Sequence, residues 1–271
     1  MKIALAIASE KAILTAFVVF RDRLETSIGK AAALGYDAIE LALARAEEAD
    51  IKSILGLLNG HGMELAAISS GRVFAEEHVW FTHPDARIRN KAVQIMKGLI
   101  DLAGEAKSQV NVGRVRGYIH EGDTRQQAEE RFIECMAACA DYAAPLGVRM
   151  LLEPVNRYEI NFINNIAEAQ ALLQKIERPN LKIMPDVFHM NIEDASICGS
   201  LKQAGDLVGY IHFADSNRWA PGQGHLNFSE ILCALHSIGY HGFIGIEILP
   251  WPDPDTAAKQ AIQYMRKILK N

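Results

Sequence analysis

Short apolar runs alternate with longer amphipathic stretches along the whole chain. Continuously apolar runs such as residues 150–152 are typical of strands buried on both faces, which favours parallel strands covered by helices. The pattern predicts eight strands, at residues 2–8, 37–43, 64–69, 109–113, 148–153, 181–186, 208–213 and 243–248. It predicts eight intervening helices, at residues 23–34, 50–60, 84–106, 124–145, 166–177, 195–204, 228–238 and 255–269.

Glycine marks the junction between several predicted helices and the strands that follow. LGYDAIEL (34–41), LGVRMLLE (146–153) and IGYHGFIGIE (238–247) share this arrangement, and the first and last are especially alike. Glycine adopts the left-handed conformation that closes a helix, so each stretch predicts a helix end and a new strand.

Strict alternation of eight strands and eight helices in 271 residues predicts an α/β fold, a single-domain (β/α)8 TIM barrel over residues 1–271. A doubly wound open sheet is the alternative. That fold usually carries a GxGxxG loop after the first strand, and the stretch here, IASEKAIL, has none.

Composition and charge narrow the class of protein. Hydrophobic residues make up 49% of the chain and charged residues 23%, and the formal net charge is -5. This balance lacks the basic footprint of a nucleic-acid-binding protein. No run of uncharged apolar residues is long enough for a membrane span. Glu10 and Lys11 interrupt the first apolar run, which is predicted to be a strand rather than a signal peptide.

The four cysteines, at positions 135, 139, 198 and 233, form no CxxC pair. Cys135 and Cys139 are spaced so that both would face one helical core stripe. Few cysteines in a chain of this length indicate reduced, structural thiols and a cytoplasmic location.

Polar residues stand at the carboxyl ends of the last four predicted strands: Glu153, Asp186, His212 and Glu247. Alone, each would more commonly be a helix cap, a surface residue or a core histidine. In a TIM barrel, however, these strand ends meet at one mouth. Three converging carboxylates would repel one another and be costly to desolvate, and a divalent cation removes that cost. Oxygen ligands with one imidazole suit Mn²⁺, Co²⁺, Mg²⁺ or Zn²⁺.

At these residues the sequence resembles the xylose-isomerase-like sugar isomerase/epimerase superfamily, most closely the ketose 3-epimerases of the D-tagatose 3-epimerase group. The resemblance covers essentially the whole chain. It is carried by EPVNRYE (153–159), DVFHMN (186–191), HFADSNRWAPGQGH (212–225) and GIE (245–247).

The resemblance implies a role for each matching residue. One divalent metal ion, with Mn²⁺ as the expected ion, would be held by Glu153, Asp186, His212 and Glu247. The sugar oxygens would be contacted by Glu159, His189 and Arg218. Glu153 and Glu247 would also act as the acid/base pair on opposite faces of the substrate.

The implied reaction is inversion at C3 of a ketose of the D-tagatose, D-fructose or D-psicose type. A cation chelated by the carbonyl and neighbouring hydroxyl oxygens would stabilise the cis-enediolate that forms on proton loss. One carboxylate would remove the C3 proton, and the other would return a proton from the far side. A hydroxypyruvate-type or other aldose–ketose isomerase needs almost the same parts and remains an alternative.

The superfamily also includes metal-dependent abasic-site endonucleases, which use extra ligands on other strand ends. Here the third strand ends in Ser69-Ser70 and the fourth in Gly113, and the net charge is negative. These features argue against a nuclease. The expected partner is a small-molecule sugar, with no nucleic acid and no membrane, in a homo-oligomer (dimer or tetramer).

Two arginines follow the fourth strand, in VGRVRGYIHEGD. Arg114 and Arg116 at this rim would suit a carboxylate or phosphate, which would make the substrate a sugar acid or sugar phosphate. The alternative is a solvated loop with one arginine paired inside. No glycine-rich phosphate cradle accompanies them.

Loop aromatics are the remaining candidates. Trp80, Phe81, Trp219 and Trp251 either wall the pocket or form a subunit contact. The connection at 70–84 is long and suggests a lid. No role follows from the sequence for Asp215 or for Trp219.

Overall fold

Eight parallel strands form the wall of a barrel in the computed structural model, which describes residues 1–270. They are β1 (Lys2–Ala8), β2 (Ala38–Ala42), β3 (Glu64–Ser69), β4 (Gln109–Val112), β5 (Arg149–Leu152), β6 (Leu181–Ile183), β7 (Ile211–Phe213) and β8 (Phe243–Ile246). Each coincides with a predicted strand, and several are shorter than predicted. A further two-residue strand, Phe20–Arg21, pairs with the end of β1.

Parallel pairing runs from β6 back to β1 and on through β8 to β7. Two isolated bridges, Ile183 with Val208 and Asp186 with His212, join β6 to β7. The His212 N–H donates to the Pro185 carbonyl at 2.8 Å across this seam. The TIM barrel prediction is therefore confirmed, and its closure brings two predicted ligands side by side.

Ten helices surround the barrel within residues 1–270. They are α1 (Leu24–Leu34), α2 (Ile51–Gly60), α3 (Gly71–Glu77), α4 (Ala86–Glu105), α5 (Arg125–Ala143), α6 (Ile166–Ile176), α7 (Val187–Glu193), α8 (Ile197–Ala204), α9 (Phe228–Ser237) and α10 (Pro254–Ile268). Eight match predicted helices. Over the same residues, no helix is both long and apolar enough for a bilayer crossing.

Helices α3 and α7 were not predicted, because each is only seven residues long and shows too few turns for a periodic apolar stripe. Helix α3 lies in the segment that the sequence suggested as a lid. In the structure this segment is packed onto the barrel: Val73 and Phe81 are fully buried, and the Phe81 N–H donates to the Val115 carbonyl.

Local signals explain the helix boundaries. Gly35 and Gly147 both adopt the left-handed conformation, with φ of 88° and 69°, just before β2 and β5. Thr124 caps α5 in a reciprocal capping box with Gln127. Cys135 and Cys139 are both buried on α5, as their spacing predicts.

Below the carboxyl ends of the strands, the barrel interior is filled by buried side chains that include Ala4, Ala38, Leu151, Met184 and Tyr210. A Cβ at Gly245 would lie 2.5 Å from the Tyr210 hydroxyl oxygen and 2.8 Å from His212 Cδ2. Glycine is therefore the only residue that leaves room for both rings at position 245 of β8. This packed floor supports the site above it.

Candidate metal centre and active site

The four predicted metal ligands converge at the carboxyl ends of neighbouring strands. Glu153 follows β5, Asp186 follows β6, His212 lies in β7 and Glu247 follows β8. One ligand atom from each lies within 4.8 Å of the others. The structure thus brings together all four residues that the sequence singled out.

The donor set fits a divalent cation. His212 Nδ1 is buried and has no hydrogen-bond partner among residues 1–270. It lies 3.5 Å from Glu153 Oε1, 3.7 Å from Asp186 Oδ2 and 3.6 Å from Glu247 Oε2. These separations are too long for hydrogen bonds, but ligands of one ion at about 2.1 Å stand roughly 3 to 3.5 Å apart.

Glu40 is a site residue that sequence reasoning missed. It lies in β2, is 1% exposed, and its Oε2 is 2.8 Å from His212 Nε2. The carboxylate holds the proton on Nε2 and leaves Nδ1 free as a ligand, as in carboxylate–histidine–metal arrangements. A signal was present: LGYDAIEL and IGYHGFIGIE both run from a Gly-Tyr pair through apolar residues to a glutamate, although the apolar run is longer in the second.

The Glu40→Gln substitution should weaken divalent metal binding roughly 10–100-fold. The reason is that the His212 imidazole loses its carboxylate partner, whose negative charge makes the imidazole a stronger ligand. Calorimetric titration of the metal-free protein with Mn²⁺ measures the dissociation constant. The control is Glu64→Gln, which removes an exposed glutamate at the opposite end of the barrel. Equal affinities for Glu40→Gln and the control would contradict this role.

Asn111 orients the Glu153 carboxylate. Its side-chain oxygen accepts from the Ser70 backbone N–H at 3.0 Å, which turns its NH₂ group toward Glu153 Oε2 at 2.9 Å. A Cβ at Gly113 would approach that same oxygen to 2.8 Å. The Asn111 amide therefore holds the Glu153 carboxylate in place, and the absence of a side chain at Gly113 leaves room for it.

His189 is held as a neutral imidazole. Asn156 accepts the Tyr158 backbone N–H at 3.0 Å, so its NH₂ group faces His189 Nδ1 at 2.8 Å and Glu159 Oε1 at 3.1 Å. Nδ1 must accept, which places the ring proton on Nε2. Burial lowers the pKa of His189 to about 3. The ring is thus prepared as a hydrogen-bond donor toward the pocket.

Arg218 bridges two of the carboxylates. Its guanidinium donates to Asp186 Oδ2 at 2.8 Å and to Glu247, and lies between the rings of Phe17 and Phe188 at 5.1 Å and 4.8 Å. Its backbone is left-handed, with φ of 65°. The surrounding loop therefore holds a strained residue in one orientation over the site.

The two carboxylates that Arg218 bridges have different electrostatic surroundings. Burial raises the pKa of Glu247 to about 8. Burial opposes ionisation of Asp186 as well, but the Arg218 guanidinium holds the pKa of Asp186 well below its usual range. Added positive charge beside these groups would favour the ionised form of Glu247.

Asp215, to which the sequence assigned no role, organises the loop that carries Arg218. It is fully buried and accepts backbone N–H groups from Ser216 at 2.7 Å, Gly222 at 2.8 Å and Leu226 at 3.1 Å. Its own carbonyl accepts the Arg218 N–H at 2.8 Å. The hydrogen bonds of Asp215 thus hold the loop after β7 in the conformation that positions Arg218.

Comparison with known proteins agrees with this geometry. A family model described as "Xylose isomerase-like TIM barrel" matches residues 28–268. The chain belongs to this family. The predicted resemblance to this superfamily is therefore confirmed, and its ketose 3-epimerase branch is confirmed by the relatives described next.

Among its relatives are ketose 3-epimerases, enzymes of the isomerase class. An L-ribulose 3-epimerase of Methylomonas sp. (strain DH-1) is 29% identical over 261 residues, 89% of this chain and 90% of the relative. A D-psicose 3-epimerase of Ruminiclostridium cellulolyticum is 32% identical over 230 residues, 81% of this chain and 76% of the relative. A crystal structure of D-psicose 3-epimerase from Clostridium cellulolyticum H10 with D-tagatose superimposes with a TM-score of 0.83, at 26% identity over 99% of both chains.

A pocket opens above the carboxylates of this xylose isomerase-like barrel. The predicted residues Glu153, Glu159, His189, Arg218 and Glu247 all line it. Much of the remaining lining is apolar and comes from the loop after β1 and from α3, including Ile13, Ala16, Phe17 and Ala75. Its mixed polarity suits a small polyhydroxylated ligand.

The loop aromatics take other positions. Over residues 1–270 the lining of this pocket includes none of Trp80, Phe81, Trp219 and Trp251. Phe81 is a core residue, and Trp219 stacks on Trp251 with ring centroids 5.5 Å apart. The pocket-wall interpretation of these four residues is wrong; a subunit contact stays a prediction for the exposed ones.

Arg116 is structural, so its predicted role in anion binding is wrong. It is fully buried and donates to the carbonyls of Phe162 at 2.9 Å, Gly113 at 3.0 Å and Ile163 at 3.1 Å. Burial lowers its pKa to about 10. The Arg116 guanidinium thus donates only to backbone carbonyls. These hydrogen bonds join the loop after β4 to the loop after β5.

Proposed function

We propose that this protein is a divalent-metal-dependent sugar epimerase that inverts C3 of a ketose with the skeleton of D-tagatose, D-fructose or D-psicose. The observation that carries the proposal is the convergence of Glu153 and Glu247 on His212 Nδ1 inside the pocket. The D-psicose and L-ribulose 3-epimerases among the relatives support the same reaction.

The metal ion would be held by Glu153, Asp186, His212 and Glu247. When bound there, it supplies positive charge beside the substrate carbonyl, which stabilises the negative charge that develops on proton loss. We propose Mn²⁺, with Co²⁺, Mg²⁺ and Zn²⁺ as alternatives, because three carboxylates and one imidazole suit each of them.

The acid/base pair is proposed to be Glu153 and Glu247. Asn111 holds the first carboxylate and Arg218 the second, so that each keeps its place beside the reacting carbon. One removes the C3 proton, and the other delivers a proton to the opposite face. Inversion requires both, because a single base returns the proton to the face from which it came.

The remaining predicted residues would bind the sugar. His189 would donate its Nε2 proton to a substrate oxygen, and Glu159, whose side chain is 25% exposed at the pocket edge, would accept from a hydroxyl. Arg218 would orient a hydroxyl while it supports Glu247. We also propose that residues 1–271 act as one catalytic domain in a cytoplasmic homo-oligomer (dimer or tetramer).

The test is exchange in D₂O followed by NMR, with D-tagatose, D-fructose and D-psicose and with Mn²⁺ added to metal-free protein. We expect deuterium at C3 alone, together with the C3 epimer, and the loss of both when the metal is chelated. Deuterium at C1 with formation of an aldose would instead identify an aldose–ketose isomerase. Sugar binding without any exchange by the metal-loaded protein would refute catalysis.

A further inference from the structure

Three arginines line the pocket, and two of them are neutralised by carboxylates. Arg72 pairs with Glu48 and Glu76 at 2.6 Å each. Arg218 pairs with Asp186 and Glu247, as described above. The third is Arg114.

Arg114 has neither a hydrogen bond from its side chain nor an ion pair within 4.0 Å among residues 1–270. Its guanidinium carbon lies 5.8 Å from the centre of the Phe74 ring. The side chain is half-buried and reaches the pocket beside apolar residues such as Ala75 and Val155. A cation in such surroundings, with no counter-charge from the protein, is available to a ligand.

A rigid turn presents Arg114. It begins the 3₁₀ turn Arg114–Arg116, in which the buried Arg116 ties the chain to the loop after β5. The Gly117 N–H donates to the Arg114 carbonyl at 2.9 Å, and the Phe81 N–H donates to the Val115 carbonyl at 2.9 Å. Because the backbone is held on both sides, the turn itself would lose little conformational freedom when the side chain binds a ligand.

The chemistry of the pocket selects the kind of anion. A guanidinium binds a carboxylate through two parallel hydrogen bonds. A phosphate dianion carries up to twice the negative charge of a carboxylate into a pocket that Glu153, Glu159 and Glu247 also line, and the one unpaired guanidinium neutralises only half of that charge. A single carboxylate, with one negative charge, matches a single unpaired arginine.

We propose that Arg114 binds a substrate carboxylate, so that this enzyme acts on keto-sugar acids in preference to neutral ketoses. This rests on the proposed function, which supplies the reacting end of the sugar. It narrows the substrate class to ketoses whose terminal CH₂OH, farthest from the carbonyl, is oxidised to a carboxylate.

The test compares three ligands that differ only at C6: D-fructose, D-fructuronate and D-fructose 6-phosphate. Each is measured with Mn²⁺-loaded protein by exchange in D₂O and by calorimetric binding. We expect fructuronate to have the highest kcat/KM. We expect Arg114→Gln to lower that value roughly tenfold to a hundredfold and to change the value for fructose less than about threefold.

Two further variants act as controls. Arg114→Lys keeps the charge but loses the paired hydrogen bonds, and should recover only part of the preference. Arg87→Gln removes an arginine whose side chain is 90% exposed outside the pocket, and should leave all three ligands unchanged. Circular dichroism of each variant checks folding.

Equal or better use of fructose, a preference for the phosphate, or an equal effect of Arg114→Gln on all three ligands would overturn the proposal. If no ligand undergoes exchange, the proposed function fails, and calorimetry still decides the subsite. Fructuronate binding that depends on Arg114 would support it, and binding that is indifferent to Arg114 would refute it.

Discussion

Glu153→Gln and Glu247→Gln should each abolish epimerisation and leave at most one-sided exchange at the reacting carbon. With one carboxylate replaced, the other can still remove a proton from its own face, and it returns deuterium to that same face. We expect kcat for inversion to fall by about 10²–10⁴-fold. Proton NMR in D₂O distinguishes inversion from one-sided exchange. Exchange without inversion introduces deuterium into the substrate and forms no epimer.

Both glutamates are also proposed metal ligands, so metal content must be measured in each variant. Glutamine keeps one oxygen at each position, and excess Mn²⁺ should restore occupancy. Glu134→Gln, at a side chain that is 74% exposed on α5, provides the matched control. Full inversion by both metal-loaded variants would show that the two-base mechanism is wrong.

Arg116→Met should lower the free energy of unfolding by about 3–5 kcal/mol, because a buried guanidinium is replaced while its three carbonyl acceptors lose their donors. Such a loss is large beside the total stability of about 5–15 kcal/mol that is usual for a folded domain. Urea unfolding followed by circular dichroism measures it.

Arg87→Met is the control for Arg116→Met, since it removes an exposed arginine from α4. It should change the free energy of unfolding by less than about 0.5 kcal/mol. An Arg116→Met protein as stable as this control would mean that the three backbone contacts contribute nothing to the loop junction.

The barrel could be predicted because its signal is local and repeated. Apolar runs, helical stripes and closing glycines recur, and parallel strands with helical crossovers allow few arrangements. The predicted boundaries were less accurate. Strand β6 ends at Ile183, three residues before the predicted end, because Asp186 is already the N-cap of α7. A seven-residue helix has too few turns to show a stripe in sequence.

Several supporting residues were missed for a different reason. Glu40 and His212 are 172 positions apart, and Asn111 and Glu153 are 42 apart, so no local pattern links either pair. Each supporting group looks like an ordinary strand residue until the barrel closes. The two arginines of VGRVRG were likewise indistinguishable in sequence, yet one is buried against backbone and the other reaches the pocket.

The sequence by itself determined the alternation of strands and helices, and hence which residues stand at the barrel mouth, because strand direction places every carboxyl end on one face. Only the tertiary structure decided which nitrogen of His212 is free and which proton His189 carries. It also decided that Arg116 is buried against backbone carbonyls while Arg114 reaches the pocket. Those properties depend on hydrogen-bond partners from distant strands, and such partners are defined only when the barrel closes.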